Sequence, residues 1–274
     1  MEVMNRYVTA KNYIEGSPKE SDFEIKCSKI VLSAEPGSND VVLKNLYVSI
    51  DPYQINRFKS YSSSHKTSSN YVVVTIAPGE EDDLVVGTTR WADYSVLKAS
   101  EYVLRKLNSF DMGFPLSHQI GVFGFSGLTA YAGLFEVGKP KKGERVFVSA
   151  ASGSVGHLVG QYAKLSGCYV VGCAGSKEKV GLLKEKLGFD DAFNYKDEPN
   201  LESTLKKIMI QGFLTTDFLT IFPDFLSVTM NLIRLGRIKT LEDISTGLES
   251  IPQAFVGLFH GANAGKKIVT LVEN

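Results

Sequence analysis

The stretch from Arg145 to Gly156 constrains this chain more than any other part of it. Arg145-Val146-Phe147-Val148 reads as an apolar, β-branched strand, and Ser149-Ala150-Ala151-Ser152-Gly153-Ser154 as a small-residue turn. The turn opens straight into a helix whose apolar residues Val155, Leu158, Val159 and Tyr162 recur at i, i+3, i+4 and i+7. Strand, turn and helix in this order form a dinucleotide-binding βαβ unit, with Ala151 in place of the first glycine of G-x-G-x-x-G. Gly153 lets the backbone approach a pyrophosphate, while Gly156 and Gly160 let the helix lie close to the strand. The N–H groups and the dipole at the helix start favour phosphate charge.

The context repeats the pattern. After Ser166-Gly167 comes a second apolar strand, Cys168 to Ala174. A second helix runs to about Leu187, Gly188 stands at its C-cap, and a third strand lies near Asp191 to Tyr195. This βαβαβ order is half of a Rossmann fold, and a parallel α/β core without ligand is the bland alternative. An acid about 20 residues past the glycine turn grips the ribose 2′-OH of NAD. Here that place is Gly175-Ser176, with Lys177 and Lys179 following and no Asp or Glu at the strand end. Absent repulsion and nearby ammonium groups point to the 2′-phosphate of NADP(H). Taken alone, the two lysines would be an ordinary solvated helix face.

Residues 150–156, 172–180 and 188–195 together resemble the plant NADP-dependent alkenal double-bond reductases, which are zinc-independent medium-chain dehydrogenases/reductases akin to the leukotriene/prostaglandin reductases. Residues 45–53, Gly127-Leu128-Thr129-Ala130-Tyr131-Ala132-Gly133 and residues 257–266 agree, so the resemblance covers nearly the whole chain. It implies an α/β protein with a GroES-like β-rich N-terminal domain over 1–120, to which a tail over 250–274 returns. It also implies a Rossmann NADP-binding domain over 121–249.

Reduction of the C=C bond of α,β-unsaturated aldehydes or ketones is the implied activity, with NADP(H) as cofactor and no metal. By position, Ala150, Ala151, Ser152, Gly153, Ser154, Val155 and Gly156 would line the pyrophosphate. Lys179 and Tyr195 would hold the 2′-phosphate, beside Gly175. Pro52 and Tyr53 would edge the nicotinamide and substrate pocket, and Phe213, Leu214 and Thr215 would approach the nicotinamide side. Asn263 would reach the cofactor from the tail. Tyr53 could equally fill a domain seam, and Asn263 could be a turn residue in a Gly/Ala loop. Tyr53 is the candidate contact for the substrate oxyanion. A homodimer built by strand addition across the Rossmann domains is also implied.

The chain departs from its family pattern. A full Rossmann sheet has about six strands. Here one helix-like segment, Glu198 to about Lys207, is followed at once by the apolar run Ile208 to Leu214, which in the family lies well downstream. The block supplying the fourth and fifth strands is missing, so the domain is shortened after about 206 and its first strand is left with a bare edge. Residues 71–87 replace a longer family segment containing a glycine-rich barrel strand. Ser126 stands at a usual proline and Ala262 at a usual arginine. Two further readings therefore stand beside the reductase: a catalytically impaired NADP(H)-binding or partner-binding relative, and a quinone reductase of the same superfamily.

Composition excludes other classes. Among 274 residues, 30 basic and 30 acidic side chains cancel, so no basic stripe points to nucleic acid and no polybasic anchor to a membrane. No run approaches the roughly 20 apolar residues of a spanning helix. The N-terminus lacks an apolar signal region, and a cytoplasmic protein is expected. Cys27, Cys168 and Cys173 form no disulfide framework. His65, His118, His157 and His260 are too scattered to join them in a zinc site. His157 is expected on the helix surface. Residues 60–70 are serine-rich and read as a loop near the pocket mouth. Residues 216–235 read as a helix in two pieces, interrupted at Pro223. Residues 267–272 read as a final strand.

Overall fold

A computed structural model describes residues 2–33, 38, 40–60, 73–78, 84–98, 104–108, 113–198 and 212–271. The strands in chain order are β1 (Glu2–Ala10), β2 (Phe23–Val31), β3 (Asp40–Lys44), β4 (Tyr47–Ser49), β5 (Val73–Pro78), β6 (Leu84–Thr89), β7 (Tyr94–Lys98) and β8 (Leu104–Lys106). They continue with β9 (Arg145–Val148), β10 (Tyr169–Ala174), β11 (Asp191–Asn194), β12 (Glu242–Thr246) and β13 (Lys266–Thr270). The α-helices are α1 (Phe125–Ala132), α2 (Gly156–Leu165), α3 (Lys177–Gly181), α4 (Phe222–Arg234) and α5 (Ile251–Phe259). Two compact units result. One comprises 1–120, 243–262 and 267–274, and the other 121–242 and 263–266.

The first unit is β-rich and GroES-like. β1 and β2 pair antiparallel, β3 pairs with β7, and six strands follow the order β12-β13-β4-β5-β6-β8. The late strand β13 enters this sheet antiparallel to β4, with Val269 opposite Val48. Its core is aromatic. Phe23, Phe58, Trp91 and Phe255 pack with ring centroids 5.3–6.3 Å apart, over Val48, Ile50, Leu248, Ile251 and Val269. Mixed edge-to-face and tilted contacts suit the ring quadrupoles. Arg6 of β1 donates to Asp93 at 2.8 Å and to Glu249 at 2.6 Å. It thereby fastens the N-terminal strand to the turn before α5.

The second unit is the Rossmann unit. Its parallel sheet runs β11-β10-β9, with Val171 opposite Phe147 on one side and Asp191 on the other. β10 is apolar along most of its length because both faces of a central parallel strand are covered, and Val170, Cys173 and Ala174 are all buried. Among the described residues nothing pairs beyond β9, and the sheet has three strands. The helix–sheet contact is close because two glycines permit it. A Cβ at Gly156 would stand 2.6 Å from the Ala150 carbonyl oxygen, and one at Gly160 2.0 Å from the Phe189 ring. Tyr162 is fully buried, packs edge-on against Tyr131 and Phe135, and shares a 2.7 Å hydrogen bond with Thr229.

Residues 215–234 form a 3-10 segment, Thr215–Ile221, and then α4, with Pro223 in the first turn of the helix. Proline fits there because its missing N–H would have no partner in that turn. The apolar run expected as a strand over 208–214 is seen only from Gly212. Residues 212–214 belong to no strand, and the remainder lies outside the described residues. The helix-like segment expected after Glu198 and most of the serine-rich loop lie there too.

Candidate functional site

The turn between β9 and α2 is built by local geometry. Ala150 takes a left-handed φ of 46°, which reverses the chain directly after the strand. The Ala151 N–H donates to the Cys173 carbonyl at 2.9 Å and locks the turn onto β10. The Gly153 N–H returns to the Ala150 carbonyl at 2.8 Å. Ala151 and Ser152 are buried, and the Ser154 hydroxyl is buried with no hydrogen-bond partner among the described residues. An orphaned hydroxyl costs free energy unless something polar meets it. At a helix N-terminus, a phosphate oxygen is the group that fits.

The loop 263–266 closes over this turn. Gly265 forms a parallel bridge with Gly153, and its N–H donates to the Ser152 carbonyl at 2.7 Å. The Asn263 side chain donates to the Gly265 carbonyl at 2.7 Å, so it does act as a turn residue. Its own carbonyl accepts from the Lys179 ammonium at 2.7 Å.

At the end of β10, Gly175 faces Tyr195. A Cβ at Gly175 would lie 3.2 Å from the Tyr195 hydroxyl and 3.5 Å from the Lys196 Cε. Ser176 caps α3 by accepting from the Lys179 N–H. The one acid in this helix, Glu178, is held below the usual carboxylate range by its own N–H and the Ser176 hydroxyl. Lys177 is exposed, Lys179 half-buried, and Tyr195 keeps 42% exposure. Tyr195 and Lys196 thus stand beside Gly175, where a 2′-phosphate is expected, and the Lys179 ammonium rests on the Asn263 carbonyl.

The structure therefore brings Ala150 to Gly156, Gly175, Lys179, Tyr195 and Asn263 into one region of the Rossmann unit. Phe213 and Thr215 lie against α1 and its continuation. A Cβ at Gly133 would be 3.0 Å from the Phe213 ring, and the Thr215 hydroxyl is 2.8 Å from that of Thr129. Leu214 is exposed.

Pro52 and Tyr53 belong to the other unit, in a 3-10 turn over Pro52–Arg57. Gln54 holds that turn rigid. Its Nε2 donates to the Ser49 carbonyl and its Oε1 accepts from the Asp51 N–H, both at 3.0 Å, while the Ser49 hydroxyl bonds to the Asp51 carboxylate. Tyr53 retains 41% exposure. Partial burial of its phenol, and then the Asp51 carboxylate, push its ionisation upward.

One expectation is overturned. His157 is not on the helix surface but 2% exposed. Its Nδ1 lies 2.8 Å from the Gly153 carbonyl oxygen, and its Nε2 accepts from the Leu241 N–H at 3.4 Å. Residues 239–241 cover that face of α2, and a distant segment leaves no trace in the helix's own periodicity. Lys196 was also missed, since one lysine after a strand carries no signal until Gly175 is seen opposite. Among the described residues no group of three His, Cys, Asp or Glu side chains could hold a metal ion.

A family described as "Zinc-binding dehydrogenase" matches residues 154–221. The NADP(+)-dependent 2-alkenal reductase of Nicotiana tabacum is 40% identical, covering 98% of each chain. The (+)-pulegone reductase of Mentha piperita is 36% identical, covering 98% of this chain and 99% of its own. The tobacco alignment runs over 338 positions against 274 residues here, so that relative carries internal segments this chain lacks. Vibrio vulnificus CurA, solved in complex with NADPH, superposes with a TM-score of 0.83 at 25% identity, covering 98% of this chain and 100% of that one. Sequence likeness along nearly the full length, the GroES-like and Rossmann units, and the glycine turn with its lysine and tyrosine neighbours agree: the chain belongs to the zinc-independent medium-chain dehydrogenase/reductase family, among the alkenal double-bond reductases.

Proposed function

We propose that this protein is an NADPH-dependent reductase of the C=C bond of α,β-unsaturated aldehydes and ketones. The observation that carries the cofactor assignment is the orphaned Ser154 hydroxyl at the glycine turn, on the same unit as Gly175, Lys179, Tyr195 and Lys196. Ala150 to Gly156 would hold the pyrophosphate. Lys179, Lys196 and Tyr195 would hold the 2′-phosphate, with Asn263 reaching the site through the loop it shares with Gly265. The substrate class rests on the named activities of the tobacco and mint relatives.

When bound, NADPH would supply a hydride to the β carbon of the enal. As the C=C bond breaks, negative charge moves to the carbonyl oxygen, and the protein's task is to meet that charge with a donor. The Tyr53 hydroxyl, protonated at neutral pH as phenols are, is the donor we assign. The α carbon would then take a proton from water. Pro52 and Tyr53 would edge the substrate, and Phe213, Leu214 and Thr215 would approach the nicotinamide.

The test is NADPH oxidation by the purified chain with a conjugated enal, with NADH and a quinone as comparisons. Enal-dependent NADPH consumption supports the reading, and faster quinone turnover would replace it with a quinone reductase. Tyr53→Phe should lower kcat about tenfold while NADPH binding holds, equivalent to losing ~1.4 kcal/mol of transition-state stabilisation. Unchanged turnover removes Tyr53 from the donor role.

A second reading, NADP(H) binding or partner binding without turnover, is favoured by the β9 edge, which no described strand covers. NADPH binding with no enal-dependent oxidation would establish it. A cytoplasmic homodimer formed by strand addition belongs to the same proposal. Among the described residues no helix is long and apolar enough to cross a membrane. Sedimentation at micromolar concentration reads the oligomeric state directly.

A further inference from the structure

We infer that His157 is a positioning residue for the phosphate-binding turn: it registers residues 239–241 and the 263–266 loop against Gly153, so that NADP(H) affinity depends on it. The inference rests on the cofactor reading above and adds a residue that reading does not use.

His157 belongs to a closed circuit of contacts within the Rossmann unit. Because the Leu241 N–H donates to Nε2, that nitrogen carries no proton, and Nδ1–H must donate to the Gly153 carbonyl. One helical turn on, Gln161 clamps the same segment. Its Nε2 donates to the Lys239 carbonyl at 2.9 Å and its Oε1 accepts from the Lys239 N–H at 2.7 Å. Leu241 then hands the register to the loop. Its carbonyl accepts from the Lys266 N–H at 2.9 Å, and a Cβ on Gly265 would lie 2.2 Å from that oxygen. Gly265 adopts φ 76°, so the loop can come this close only as glycine. The Gly265 N–H reaches the Ser152 carbonyl, beside Gly153 where the circuit began.

No bond in this circuit is tied to a solvent-exposed side chain. His157 and Gln161 are both buried, so neither side chain can turn to water in place of these partners. The His157 side chain bonds to both the turn and the covering segment. If the ring is lost, the Gly153 carbonyl keeps the His157 backbone N–H at 3.2 Å but loses its shorter donor, and the Leu241 N–H loses its side-chain acceptor. The turn and the loop that flank the pyrophosphate then lose their common reference. Asn263 carries the same displacement to Lys179 at the 2′-phosphate end.

The experiment compares His157→Leu with His157→Gln, an amide that can donate and accept at similar reach. Tyr162→Phe breaks the buried bond to Thr229, which lies outside the circuit, and is the stability control. NADPH binding is read by cofactor fluorescence, and amide hydrogen exchange is read on the ligand-free chain. His157→Leu should weaken NADPH binding about tenfold and speed exchange at Leu241, Gly265 and Lys266. His157→Gln should restore both, and Tyr162→Phe should move neither. Unchanged affinity in His157→Leu, or an equal loss in Tyr162→Phe, overturns the inference while leaving the cofactor reading intact. Wild-type protein that does not bind NADPH overturns both.

Discussion

On one side of the parallel sheet, β10 passes its hydrogen bonds on to β11, and α2 seals the join through Gly156 and Gly160. On the other, β9 ends the sheet among the described residues. The proposed phosphate contacts lie on the first side: the glycine turn, the closing loop and the Gly175–Tyr195 pair. The second is where further strands of a complete Rossmann sheet would stand. Three strands thus suffice to bring the glycine turn, the closing loop and the Gly175–Tyr195 contact together in one unit.

The largest expected effect breaks the sealed side. Gly160→Ala puts a Cβ 2.0 Å from the buried Phe189 ring, which has no free space to retreat into. We expect a loss of about 3 kcal/mol, read as a lower midpoint in urea, together with loss of NADPH binding. Gly181→Ala, whose Cβ would meet nothing nearer than 3.9 Å, should instead gain up to about 1 kcal/mol from helix propensity.

Next comes acid. Burial lowers the His157 pKa from 6.5 to about 4. Between these values the unfolded chain binds a proton that the folded chain refuses. Stability from this group is therefore complete above about pH 6.5 and falls as pH drops toward 4, by up to about 3 kcal/mol. His157→Gln should flatten that part of the pH–stability curve. An unchanged curve would place the acid sensitivity elsewhere.

Cofactor choice sharpens the comparison further. Lys179→Ala should cut the preference for NADPH over NADH about tenfold, or ~1.4 kcal/mol. If NADH binding falls in parallel, Lys179 acts by holding the Asn263 carbonyl and not by meeting a phosphate.

Smallest is Asp190→Asn. Burial opposes the Asp190 charge, but the Lys164 ammonium and the Val170 N–H, each at 2.6 Å, outweigh it and keep its pKa low. The pair is partly exposed, so the loss should be about 0.5–1 kcal/mol in a thermal melt.

Much of the sealed side was legible in the sequence. A β-branched run, a small-residue turn and a 3.6-residue apolar period give β9, the turn and α2, because each signal is local. The missing acid after β10, with Lys177 and Lys179 behind it, pointed to NADP(H) for the same reason, whereas Gly175 and Lys179 were singled out by the family resemblance. The register of the closing loop was not legible. Gly265 reads as a turn glycine until Leu241 is found against it, and His157 reads as a polar helix residue until the segment over it is in place. Both depend on partners far along the chain, which no window of residues contains. The split of residues 216–235 at Pro223 was readable because proline's constraint is local.

The Gly153–Gly265 bridge also sets an order of events in time. Local β9–α2–β10 contacts can form as soon as those residues are available, whereas closing the long loop between the turn and residue 265 costs more chain entropy. During synthesis the nascent protein would hold its sheet early and its phosphate cradle late, since residue 265 leaves the ribosome after everything it must cover. Until then the Ser152 carbonyl, which the Gly265 N–H later meets, stands open to water and to other chains.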